Sequence, residues 1–504
     1  MKEKPSILLI TTDEQHIKTI SSFGAAAIRT PNIDRLAEQA TVYTNAYSAS
    51  PVCLPARCTW MTGMYPHNSG CMSNIYGSSL SLSYPNLFTT LKEAGYQSAM
   101  HGKCHFIPVP YPATRPDKTL EYEHFAAYYR QLGMDKLDLQ DDKNNSLWYY
   151  DDYSKDLEKQ GMLTEYRDIA HMEKPKGGFG FPGPADMHPD AWVGKKALEH
   201  LDTAQADIPR FTWVSFSGPH YPIDAPDEYM KRVNMDLDIP RITREDEWED
   251  RTKLHCNGYF GPGTTEGSGE AAGGAQKEFD EAYWRRWRQR YYANVCLIDD
   301  YVGAIIKKAR SVWGDDLIVI FTADHGDLMG NHNLWGKNHS LHEDVIRIPL
   351  LIWEPGKPAA SKEEHVSSVD IFPTILTYAG CAIPDNCDGR PLDEVVRDGG
   401  RDYIISLCDN RVALLQDGMK LCINKYERTG KIYYELYDLK KDPHEFENLY
   451  ADPAYVEKRK QLESTMQKLE KEEVLMSSVF YNGSDHPYWL NFGDGAGLKR
   501  ALRN

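Results

Sequence analysis

The stretches SILLITTDE, residues 6–14, and LIVIFTADH, residues 317–325, share one pattern: an apolar run followed at once by an acid. Short apolar runs bounded by polar residues read as strands buried on both faces, as in a parallel sheet covered by helices. Asp13 and Asp324 then emerge at the carboxyl ends of two such strands, where open α/β sheets form their sites. Tyr96–Met100, Phe211–Phe216 and Pro349–Trp353 read as further buried strands. Helix-spaced apolar positions fall between them, in Asn32–Ala40, Leu87–Ala94, Ala191–Asp202, Phe279–Ser311 and Ile371–Ala379. The expected fold is α/β, a large and mostly parallel sheet flanked by helices.

From about Arg401 the strands crowd together: Tyr403–Cys408, Val412–Gln416, Met419–Ile423 and Tyr433–Asp438, with Asp417-Gly418 as a hairpin turn. A charged helix, Ala454–Glu472, follows, so the end of the chain predicts a small antiparallel sheet plus one helix. The 504 residues exceed the ~250–300 at which one core stops growing. Two units are expected, an N-terminal α/β domain over residues 1–390 and a C-terminal α+β subdomain over 391–504. Segments 107–185 and 228–277 lack strong periodicity and read as insertions over the carboxyl edge of the sheet.

Lys and Arg number 57 against 74 Asp and Glu, a net charge of −17 with no dominant basic stripe. Nucleic acid is therefore not an expected partner, although a local cationic cluster can still bind a small anion. No run approaches the ~18 apolar residues that span a bilayer. The start, Met1–Thr12, has no small-residue cleavage site, so a soluble cytoplasmic protein without a membrane partner is expected. Ten cysteines without a paired CxxC pattern read as mostly reduced.

Glu14 stands beside Asp13 and His325 beside Asp324, three carboxylates and an imidazole that repel unless something positive joins them. One divalent cation meets that need. Oxygen-rich ligation favours calcium, with magnesium, manganese or zinc left open by the imidazole. Acids also end strands because they favour turns and water, and spacing alone leaves that reading open. In CLPARCTWMTG, residues 53–63, Pro55 suits a first helical turn and Gly63 a helix end. Cys53 then lies at a helix N-terminus, where free N–H groups and Arg57 four residues on favour an anion.

This CxPxR stretch ending in Thr62-Gly63 resembles the signature of the sulfatases, the formylglycine-dependent branch of the alkaline phosphatase superfamily. Further segments resemble that family in order: Thr30 to Ala37, His101-Gly102-Lys103-Cys104-His105, Gly218 to Pro222, Arg290 to Ala293 with Asp299-Asp300, Thr322 to Gly326, and Leu334 to Lys337. Glu435 to Leu439, Asp442-Pro443 and Glu447 to Leu449 resemble its C-terminal part. The resemblance implies a sulfuric ester hydrolase acting on a sulfated carbohydrate, its nucleophile a formylglycine hydrate made from Cys53 by a maturation enzyme. Asp13, Glu14, Asp324, His325 and the matured Cys53 would bind the metal. Arg57 and Lys103 would stabilise the formylglycine, His105 would deprotonate its remaining hydroxyl, and His220 and Lys337 would hold the sulfate and its bridging oxygen.

Three positions depart from the family pattern: Glu14 stands where many relatives carry Asp or Gln, His325 where many carry Asn, and Ala56 replaces a frequent Ser. His67, Asn74 and His101 fall near family motifs as candidates to line the pocket. Trp148, Tyr149, Tyr150 and Trp248 are candidates to stack on a sugar. Asp327, His332, His339 and His342 read as solvated loop residues, with a substrate subsite built from their acids and imidazoles as the alternative. The nearest rival is a phosphonate monoester or phosphodiester hydrolase of the same superfamily, against which Lys103 in its GKxH setting weighs. A non-catalytic anion-binding protein is the alternative if Cys53 stays a thiol.

Overall fold

The apolar run after Pro5 forms β1, Ser6–Asp13, buried along its whole length in the computed structural model. The structure describes residues 4–74, 79–107, 120–121, 123–173, 178–203, 207–245, 247, 280–337, 340–408, 411–425 and 432–471. The main sheet continues with β2 (Thr41–Tyr43), β3 (Gln97–Gly102), β4 (Lys136–Leu139), β5 (Arg210–Pro219), β6 (Leu317–Ala323), β7 (Leu350–Trp353) and β8 (Ala360–Lys362). Its spatial order is β8-β2-β7-β6-β1-β5-β3-β4. The five strands from β6 to β4 pair in parallel, and β7 runs antiparallel to both of its neighbours. A large, mostly parallel sheet is thus present as expected.

Because successive side chains of a strand point to opposite faces, the central strands feed two cores. Ile7, Leu9, Phe211, Trp213, Ile318 and Ile320 pack on one face against α1 (Cys53–Thr62) and, later in the chain, Ile371–Tyr378. Leu8, Ile10, Val214, Phe216, Val319 and Phe321 pack on the other against α2 (Pro189–Asp202) and α3 (Glu281–Trp313). Trp213 lies edge-on to Trp60 of α1, ring centroids 5.9 Å apart, and its indole N–H donates to Thr11 Oγ1 at 2.9 Å. Burying a side chain of that size contributes ~1.5–3 kcal/mol.

The C-terminal strands Ile404–Cys408, Arg411–Gln416, Met419–Lys425 and Ile432–Asp438 form an antiparallel meander, and the helix Val456–Lys471 lays Leu462, Met466 and Leu469 on it. The small antiparallel sheet plus helix matches the expectation. Phe279 and Glu472, the expected ends of two helices, lie outside the described residues. Among the described residues no helix is long and apolar enough to cross a membrane.

Three strands of the main sheet differ from the sequence reading. Thr41–Tyr43 and Ala360–Lys362 are too short and too polar to show an apolar run, and they become strands by pairing at the sheet edge. Lys136–Leu139, inside the segment read as an insertion, is instead the outermost parallel strand. Gly102 closes β3 at φ 101°, and a Cβ there would collide with the Ser215 carbonyl of β5. Gly102→Ala should therefore lower stability by about 2–3 kcal/mol, from backbone strain and overpacking together, read as a fall in urea midpoint at unchanged slope.

Candidate active site

The β1–β6 register pairs Thr12 with Ala323, so Asp13 and Asp324 leave the sheet side by side. Both are fully buried. Asp324 Oδ1 accepts the backbone N–H of Glu14 at 3.0 Å and of His325 at 2.9 Å, and Oδ2 accepts Arg57 Nε at 2.9 Å. Arg57, from the first turns of α1, also donates through Nη1 to the Lys103 carbonyl at 2.9 Å and to Ser215 Oγ at 2.7 Å. The Lys103 ammonium pairs with Asp13 Oδ2, while Asp13 Oδ1 has no hydrogen-bonding partner. Glu14 takes up the left-handed conformation at φ 60°, its N–H on Asp324 and its carbonyl accepting the Tyr291 hydroxyl.

Cys53 opens α1, which Gly63 closes in the left-handed conformation, as the motif predicts. Its Sγ lies 3.3 Å from His325 Nε2 and 3.7 Å from Asn74 Nδ2, and His105 also hydrogen-bonds it. Asn74 Oδ1 accepts the N–H of Leu54 at 2.9 Å, which ties it to the helix N-terminus. Burial works against a thiolate here, but Lys103, Lys337 and His325 outweigh it and pull the Cys53 thiol well below its ordinary range. Burial, then the charge of Asp13, raises Asp324 to about 6. Burial opposes the charged form of His325, yet Asp324 and the Cys53 sulfur bring it to about 9.

Asp13, Cys53, Asp324 and His325 offer ligand atoms that all lie within 4.8 Å of one another. Two carboxylates, a low-pKa sulfur and an imidazole, with one carboxylate oxygen unsatisfied, suit a divalent cation, whose charge would replace that of a protonated His325. Glu14 lies in the same pocket but outside this four-residue set. Its Oε2 is 3.1 Å from His220 Nε2 and 3.3 Å from Lys337 Nζ. Asp13, Asp142 and His220 form a second close acidic set, between whose carboxylates the Lys103 ammonium lies.

Opposite these anions stand Lys103, Lys337, His105 and His220. His220 Nδ1 is 2.7 Å from the Tyr221 carbonyl, which only accepts, so that nitrogen carries a proton and Nε2 faces Lys337 Nζ at 2.8 Å. Burial and Lys337 depress His220, but Glu14, Asp13 and Asp142 raise it to about 9. The structure thus brings Asp13, Glu14, Cys53, Arg57, Lys103, His105, His220, Asp324, His325 and Lys337 into one connected network.

Other candidates fall elsewhere. Asp327, His332 and His342 are buried rather than solvated: His332 Nδ1 meets Glu247 at 2.5 Å and its ring stacks on His342 at 4.2 Å. Polar loop composition hid that packing. Tyr149 belongs to the apolar core and is not free to stack on a ligand, whereas Tyr150 is partly exposed. Trp248, His339 and the side chain of Trp148 lie outside the described residues. His101 pairs with Asp138 at 2.7 Å, and burial takes His67 down to about 4. Ser215 and Asp142 were missed. Asp142 follows a strand just as Asp13 and Asp324 do, but that strand is too short and charged to be recognised.

The sulfatase family model matches residues 5–381, and the model described as N-sulphoglucosamine sulphohydrolase, C-terminal, matches residues 411–472. The chain therefore belongs to the sulfatase family, and it is a sulfuric ester hydrolase. It is 27% identical over 485 residues to an arylsulfatase of Clostridium perfringens, covering 90% of this chain and 92% of that one. It is 23% identical over 529 residues to an N-acetylglucosamine-6-O-sulfatase of Bacteroides thetaiotaomicron, covering 93% and 87%. In fold it is similar to a phosphonate monoester hydrolase of Agrobacterium radiobacter, with a TM-score of 0.74, 22% identity and coverage of 95% and 97%.

Metal binding has a direct check. After chelation, returning a divalent ion at ~100-fold over its Kd should stabilise the protein by about 2.7 kcal/mol in thermal unfolding. Asp13→Asn should lose most of that gain.

Proposed function

We propose that the chain hydrolyses a sulfate monoester on a saccharide, with Cys53 oxidised to formylglycine as the nucleophile-bearing residue and one divalent ion, calcium first among the candidates. The observation that carries this reading is the position of Cys53, with His105 and His325 on its sulfur and Lys103 and Lys337 depressing its pKa. A carbonyl hydrate on Cβ of residue 53, with a hydroxyl where the thiol sulfur stands, would supply the oxygen that attacks the sulfuryl group, and an ion held by Asp13, Asp324, His325 and residue 53 would polarise the sulfuryl oxygens. Sulfate preference and the saccharide are supported by the family match and by relatives such as the N-acetylglucosamine-6-O-sulfatase.

The chain's own residues divide the remaining work. Lys103 and Lys337 place positive charge where the equatorial oxygens gain negative charge. Arg57 keeps Asp324 in place and ties α1 to β3 and β5 through the Lys103 carbonyl and Ser215. His220, its Nδ1 proton committed to Tyr221, has Nε2 3.1 Å from Glu14 Oε2, so Nε2 can hold a second proton and give it to a departing alkoxide. His105, on the atoms of residue 53, can take a proton from a hydroxyl there and so release sulfate.

Five measurements test the reading. Protein from its native host should give a Cys53 peptide with the mass of the aldehyde, and an intact thiol would favour the anion-binding alternative. Matched aryl sulfate and phosphonate esters should show kcat/KM higher for sulfate, and a wide margin for phosphonate would transfer the assignment to the rival hydrolase. Cys53→Ala should lower kcat at least about a thousandfold. His220 is an acid in its protonated form, so kcat on an alkyl sulfate should fall as pH rises past about 9. His220→Gln should lower the plateau and remove that limb.

A further inference from the structure

The chain leaving β4 reads Gln140-Asp141-Asp142-Lys143, and all four residues are buried. Register explains where they stand. Gly102 of β3 pairs with Leu139 of β4 on one side and Ser215 of β5 on the other, so residues 103–105, 140–143 and 215–220 leave one edge of the sheet together.

Asp141, Asp142 and Lys143 each hold part of the cationic half of the site. Asp141 Oδ1 accepts the N–H groups of Cys104 at 2.9 Å and His105 at 2.7 Å, and its other oxygen accepts the Tyr129 hydroxyl at 2.6 Å. His105 is thereby fixed at φ 49°, a left-handed conformation that costs energy for a side-chain-bearing residue. Lys143 Nζ donates to the Pro222 carbonyl at 3.0 Å and to Asp224 Oδ1 and Asn294 Oδ1, both at 2.9 Å. Asn294 in turn donates to Asp190, which accepts the N–H of Gly218 at 2.8 Å, so the turn bearing His220 is held on both sides.

Asp142 stands between these two supports. Its Oδ2 accepts from Lys103 Nζ at 2.5 Å, and its Oδ1 lies 3.9 Å from His220 Nδ1. A lysine ammonium on a flexible four-carbon stem goes where the nearest anion draws it. With Asp13 alone, Lys103 would collapse onto that carboxylate and away from a bound anion. A second carboxylate across from it divides the ammonium between two partners.

We propose that Asp142 is a positioning residue of the reaction, setting where the Lys103 ammonium stands and orienting the Nδ1 edge of the His220 imidazole, which lies beside its carboxylate. The proposal rests on the reading of His220 as proton donor to the leaving oxygen. A group that acts through a proton donor matters most where the departing alkoxide is basic, and least where it leaves without a proton.

The test compares wild type, Asp142→Asn and Asp142→Glu on an alkyl sulfate and on 4-nitrophenyl sulfate, with unfolding midpoints measured alongside. Asp142→Asn should lower kcat on the alkyl sulfate by about tenfold or more beyond its loss on the nitrophenyl ester, with KM changed less than about threefold. Asp142→Glu keeps the charge but shifts it by one methylene. It should show the same leaving-group pattern at smaller size, and it serves alone if Asp142→Asn does not fold. Equal losses on both esters, or a rise in KM with kcat unchanged, would overturn the proposal. If wild type turns over phosphonate esters and not sulfates, the sulfate reading fails, and the same pair of leaving groups on phosphonate still decides the role of Asp142.

Discussion

Two carboxylates delivered side by side into a buried pocket by adjacent parallel strands must be met by positive charge. Here the β1–β6 register makes that delivery unavoidable, because Thr12 and Ala323 are partners and the next residue of each strand is an aspartate. The pocket's other charged groups answer to this pair. Arg57 neutralises Asp324, Lys103 neutralises one oxygen of Asp13, and the remaining oxygen of Asp13 stays unsatisfied next to Cys53 and His325. A buried charge left without a partner costs several kcal/mol, so removing any one of these groups disturbs the rest.

The same arrangement sets the field at residue 53. A cysteine at a helix N-terminus faces unsatisfied N–H groups, and Lys103, Lys337 and His325 add positive charge to that field at residue 53. Anion and cation halves of the site come from different parts of the sheet edge. The acids leave β1 and β6, whereas Lys103, His105 and His220 leave β3 and β5. A substrate oxyanion would lie on the boundary between them, with attack from residue 53 on one side and the leaving oxygen toward His220 and Lys337 on the other.

Much of this was legible because each signal was local. Ile7–Ile10 and Leu317–Ala323 are apolar enough to declare buried strands, and Pro55 and Gly63 bracket a helix in conformational terms alone. What stayed hidden depended on partners distant in sequence. Lys136–Leu139 alternates charged and apolar residues over only four positions and becomes a strand because β3 offers its edge. Asp142 therefore went unnoticed. His332 and His342 look like a solvated polar loop until Glu247 and the C-terminal Phe446 close on the His332 ring that stacks on His342, and Asp327 is buried under the backbone N–H groups of Met329 and Gly336. Glu14 is adjacent to Asp13 in sequence, but the left-handed turn at that residue sends its carboxylate to His220 and Lys337.

The central claim is that one cation and one tetrahedral anion meet at residue 53, between the acids of β1 and β6 and the lysines opposite. A crystal structure of the matured protein soaked with its divalent ion and inorganic sulfate addresses it most directly. The account predicts a single ion bound by Asp13, Asp324, His325 and residue 53, with the sulfate oxygens against Lys103, Lys337 and His220. An ion seated instead among Asp13, Asp142 and His220, or a sulfate held away from residue 53, would contradict it.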